Sequence, residues 1–144
     1  MLAVAVGVGV ASCGGGDASG ATVSVYVAAP LCAAAKAELA AHGAAAGSFH
    51  VTARCLAPSE RAGGGVDLAT NGANSRRATE DTSAVATLEP PGPATRFSRA
   101  ILESASIPLV VNASAHEGMK QIIEAIASAT SNVRESVKEA LEPS

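Results

Sequence analysis

The thiol and imidazole side chains of this sequence, the types that most often carry metal or nucleophile chemistry, are Cys13, Cys32, Cys55, His42, His50 and His116. The histidines are scattered. His42 and His50, the two nearest to the cysteines, have no zinc-type spacing, so no metal site is expected. Gly63-Gly64-Gly65 could be mistaken for a phosphate-cradling turn, but no Lys-Ser or Lys-Thr follows it. The stretch "VAAPLCAAA" has no glycine, so a dinucleotide pyrophosphate could not approach there in the usual way. A G-x-S-x-G elbow is also missing. Nothing assembles an acid, a base and a nucleophile. The expectation is a protein without catalytic residues and without cofactor.

Cys13 reads differently from the other two cysteines. Residues 2–11 are apolar or small, too short a run for a bilayer, which needs roughly 20 residues. The length fits the apolar region of a secretory signal. Val10-Ala11-Ser12-Cys13 resembles the lipobox of bacterial lipoprotein signals, an aliphatic residue and two small ones before the cysteine that is lipidated. That resemblance implies a signal peptide over residues 1–12, Cys13 as a lipidated mature N-terminus, and an extracytoplasmic protein anchored to the membrane. No Lys or Arg precedes the apolar run, which departs from the pattern and leaves a miscalled start or a fragment open. Residues 13–21 then form a tether made flexible by glycine and serine, and residues 22–144 a single lobe.

In an exported chain the remaining Cys32 and Cys55 are expected to pair as a disulfide. Two buried free thiols are the alternative. The chain is 48% hydrophobic, but it has one Tyr, two Phe and no Trp, so the core must come from Val, Leu and Ile. Its net charge of −3, with no basic cluster, argues against nucleic acid as a partner.

Hydrophobic periodicity places the elements that must position these residues. "TVSVYVA" at 22–28 reads as a strand. Pro30 opens a helix over 31–42, with Leu31, Ala35 and Leu39 on one face and Gly43 at its end. "AAAGS" is a turn and "FHVTARC" at 49–55 a second strand. A weak helix over 66–81 carries Arg76–Glu80 and Arg77–Asp81 at i, i+4, read as a solvated face. "SAVATLE" is a third strand, followed by a helix with Phe97, Ile101 and Ala105 on one face. "IPLVVNA" at 107–113 is a fourth. Met119, Ile122, Ile123 and Ile126 then form a helical stripe, expected to cover the sheet face beside that strand, and Val133, Val137 and Leu141 continue the pattern. Alternating strands and helices predict an α/β fold, a three-layer α/β/α lobe around a mostly parallel four-stranded sheet. Ligands of such sheets sit at the carboxyl ends of the strands. The first helix starts and the second strand stops at that edge, so Cys32 and Cys55 could meet there.

The run from Val66 to Val111 resembles the first lobe of type 1 periplasmic binding proteins, the substrate-binding lipoproteins of branched-chain amino acid ABC transporters. The similarity is carried by the strand at 82–89, the helix and turn at 98–108, and the strand at 109–114, and extends over residues 22–114. It implies an amino acid as ligand and a transporter permease as partner. Carried over by position, it implies Thr95 and Ser114 as ligand-binding residues. Family members have two lobes and clamp the ligand between them, whereas this sequence supplies one. A single-domain surface lipoprotein that uses the lobe fold to bind protein is the second expectation.

Overall fold

The computed structural model describes residues 20–142. The proposed signal, Cys13 and most of the tether lie outside them. Strand β1 (Thr22–Val27) is the centre of the sheet; the β-branched Val23, Val25 and Val27 fill one of its faces, and Ser24 and Tyr26 are buried on the other. Helix α1 (Ala29–Ala41) follows, with proline in its first turn and Leu31, Cys32, Ala35 and Leu39 buried. Strand β3 (Phe49–Cys55) pairs with β1 in parallel, and Val27 stands opposite Cys55.

The chain next crosses back over β1. Helix α2 (Leu68–Glu80) is capped by Asp67, whose carboxylate accepts from the Thr70 N–H at 3.1 Å. Strand β4 (Ala84–Glu89) joins the other side of β1. Helix α3 (Pro93–Ser104) and the short edge strand β5 (Leu109–Val111) complete the outward run. The last strand is shorter than the expected 107–113: at its start Pro108 has no N–H for a sheet ladder, and at its end Asn112 turns the chain toward α4, its Oδ1 accepting from the Ser114 N–H at 2.8 Å. Helices α4 (Ala115–Ala127) and α5 (Val133–Leu141) end the described chain.

Among the described residues the sheet has five strands, not four. Strand β2 (Ala45–Ala46) pairs antiparallel with β3, and the order is β2-β3-β1-β4-β5. Its two alanines lack the β-branched signature of a strand, so the hairpin reads as a turn in sequence. Gly47, at φ +57°, takes the first loop position with the positive φ that suits a tight hairpin. A Cβ there would also stand 3.0 Å from the Ala127 carbonyl oxygen.

Helices α1, α4 and α5 cover one face, and α2 and α3 the other. The first layer holds the larger core, in which Val25, Val27, Leu88, Met119, Ile122, Ile126 and Val137 are fully buried. The α4 stripe thus covers the sheet as expected, seated between α1 and α5. The thinner second layer contains Tyr26, Leu56, Leu102, Ile107 and Leu109. There the expected α3 face is rotated by about one residue. Ser98 and Leu102 are buried, while Phe97 is 46% exposed. The rotation follows from polar contacts between the helices: Ser98 Oγ donates to Asn71 Oδ1 at 3.3 Å and Asn71 Nδ2 donates to the Ala94 carbonyl at 3.3 Å, turning that side of α3 toward α2.

The amino edge of the sheet is tied by hydrogen bonds around Asp81, at the end of α2. Asp81 accepts from the Tyr26 hydroxyl at 2.8 Å and from Ser83 Oγ at 2.6 Å. Arg134 of α5 reaches around to donate to the carbonyls of Ala84 and Asp81. The Arg77–Asp81 pair expected along α2 does not form, because Asp81 is occupied this way and the Arg77 guanidinium lies 5.8 Å from the centre of the Tyr26 ring.

Candidate functional site at the carboxyl edge

The strand order reverses between β1 and β4. The connection after β1 leads to one side of the sheet and the connection after β4 to the other, which leaves a crevice between them at the carboxyl edge. A cavity of about 180 Å³ occupies this place. It is bounded by the start of α1, the loop after β3, the end of β4, the start of α3 and one side of α2.

Each wall is held by hydrogen bonds visible in the structure. The Ala28 N–H donates to the Leu88 carbonyl and the Leu56 N–H to the Val27 carbonyl, both at 2.9 Å, so the ladder continues one step past the strands. Asn74 grips the loop after β3 with both ends of its amide. Its Nδ2 donates to the Ala57 carbonyl at 2.8 Å, and its Oδ1 accepts from the Ala57 N–H at 3.3 Å. Asn71 does the same for α3, donating to the Ala94 carbonyl at 3.3 Å and accepting from Ser98. Both buried amides therefore serve the scaffold.

The Cys32–Cys55 disulfide is formed, with its Cα atoms 5.6 Å apart. It joins the first turns of α1 to the end of β3, beside the cavity residues Pro30 and Leu56. The register explains the meeting: Cys55 is opposite Val27, the last residue before the chain turns into α1.

Glu89 stands out among the lining residues. It ends β4, is only 6% exposed, and its Oε2 has no hydrogen-bond partner among the described residues. Thr87, two residues earlier on the same face, has a buried Oγ1 that is likewise unpartnered. Burial pushes the Glu89 carboxyl above its ordinary range, while Ser98 and the Arg99 charge oppose the shift. Two helix starts open toward the same space. Neither Ala28 before α1 nor Gly92 before α3 provides a side-chain cap.

The residues implied by family resemblance lie elsewhere. Thr95 donates its hydroxyl to the Pro90 carbonyl at 3.2 Å, bracing the turn into α3, and does not line the cavity. Ser114 is the N-cap of α4, accepting from the Glu117 N–H at 3.2 Å beyond the edge strand, and does not line it either. The histidines are less scattered than their sequence positions imply. His42 and His116 each lie 3.1 Å from one oxygen of Glu38, tying α1 to α4 at the surface. These hydrogen bonds, that of His116 first, hold the Glu38 carboxyl below its ordinary range. The i, i+4 spacing of Glu38 and His42 was legible in sequence, but the long-range link to His116 was not.

No family model, curated protein or solved structure matches the chain.

Proposed function

We propose that this chain is the ligand-binding lobe of an extracytoplasmic, lipid-anchored substrate-binding protein of the amino-acid class, working with an ABC transporter permease. The observation that carries the reading is the cavity where the strand order reverses, with a buried carboxyl among its lining residues whose Oε2 has no partner among the described residues. Two further features support it. The disulfide suits an oxidising compartment, and the sequence from Val66 to Val111 resembles the first lobe of such proteins.

The cavity volume, about 180 Å³, falls below the roughly 300–1,000 Å³ of pockets that enclose a drug-sized ligand. The described residues by themselves therefore leave much of such a ligand unburied. Affinity for leucine, isoleucine or valine should be weaker than about 1 mM, near −4 kcal/mol or poorer. Calorimetry with these three amino acids tests this. Weak saturable heats fit this partial burial, whereas micromolar binding by a monomer would mean that the lobe suffices alone. A protein-binding lipoprotein is the second reading. It is favoured by the exposure of Leu68 and Phe97, large apolar side chains on the α2–α3 layer.

A further inference from the structure

We propose that the crevice is an ammonium site, in which Glu89 receives the head of a small aliphatic amine while Ala29, Pro30 and Leu56 hold its hydrocarbon body. The inference rests on the reading of this crevice as a ligand site and adds which end of the ligand enters. The charged lining residues are Glu89 and Glu60, both acidic, and no Lys, Arg or His lines the cavity. An anion entering head first would meet these like charges. The amides of Asn71 and Asn74 could recognise a neutral polar ligand, but the scaffold already uses them.

Glu89 has an oxygen to spare, because its buried Oε2 finds no hydrogen-bond partner among the described residues. An ionised carboxylate only accepts hydrogen bonds, and an ammonium brings three donors with a compensating charge. A hydroxyl would fill the bare Oε2 but leave the buried charge unbalanced. Arg99 acts on Glu89 electrostatically from α3, lies outside the cavity lining, and makes no hydrogen bond to it. The apolar part of the lining and the limited volume favour a short branched chain over a polar or extended one.

Three matched probes separate the possibilities: leucine, isopentylamine (leucine without its carboxyl) and 4-methylpentanoate (leucine without its amine). Each is titrated into the ¹⁵N-labelled protein while the amides of Ala28, Ala29, Leu56 and Glu89 are followed. Isopentylamine should move them at least as strongly as leucine, and 4-methylpentanoate should leave them in place. Glu89→Gln keeps the side chain's shape, and the rest of its spectrum reports the fold. This variant should bind isopentylamine about tenfold more weakly or worse, the scale of a charge-assisted hydrogen bond. If 4-methylpentanoate binds as well as the amine, or the Gln variant binds it unchanged, the ammonium assignment is wrong while the ligand site stands. If no probe moves the crevice amides, both readings fall.

Discussion

Reducing the Cys32–Cys55 disulfide should cost this lobe a large share of its stability. The bridge spans a sequence separation of 23. By the chain-entropy relation, a loop of that size restricts the unfolded state by about 3.4 kcal/mol. Domains of this size commonly have 5–15 kcal/mol in total, and aromatic side chains add little to this core. The loss should lower Tm by roughly 10–15 °C. Cys32 is buried, so substitution would also remove packing. Reduction with a phosphine leaves every atom of both side chains in place and is the cleaner perturbation. Urea unfolding of oxidised and reduced protein is the assay. Because the effect acts on the unfolded chain, the m-value should rise on reduction as well. A loss below 1 kcal/mol, or a full loss with unchanged m, would refute the loop-entropy argument.

Three other outcomes follow from particular residues. Gly118→Ala should destabilise by about 1–2 kcal/mol although alanine favours helices, because its Cβ would overlap the buried Leu88 Cδ1; thermal melts that show a gain would contradict this packing. Glu89→Gln should raise Tm at neutral pH and lose that advantage in acid. The raised folded pKa of Glu89 means its carboxyl contributes fully below the unfolded pKa and progressively less as pH rises through the folded value. Melts across pH 3 to 8 check the sign, and a benefit confined to acid would reverse it. Mass spectrometry of the membrane fraction should find a lipid-modified Cys13 as the mature N-terminus, lost in Cys13→Ser, and an unmodified soluble chain retaining Met1 would rule this out.

Much of the scaffold was legible in sequence because the signals were local. The runs at 22–27 and 84–89 are β-rich, Pro30 and Gly43 bracket α1, and the isoleucines of α4 repeat at helical spacing. The disulfide was legible for a topological reason: parallel strands bring the start of α1 and the end of β3 to one edge. The misreadings arose where tertiary contacts overrode local pattern. Ala45-Ala46 becomes a strand only because β3 offers it a partner, and Phe97 is left half outside because Ser98 is drawn to Asn71.

The strand and helix pattern points to the carboxyl edge as the ligand side, but not to the residues that line the cavity there. Glu89 closes a strand and precedes two prolines, a pattern that says nothing about burial. Asn71 and Asn74, at i, i+3, share a helix face and could have signalled a polar seam beneath an otherwise weak helix. The resemblance points to Thr95 and Ser114 by position, and in the structure both use their hydroxyls at helix starts.

A chemical-shift map of the protein titrated with leucine tests the carboxyl-edge site directly. Saturable shifts are expected, centred on Ala28, Ala29, Leu56, Ala57, Asn74 and Glu89, with a Kd weaker than about 1 mM. Shifts centred instead on Ser114 beyond β5, or no saturable shifts anywhere, would contradict it.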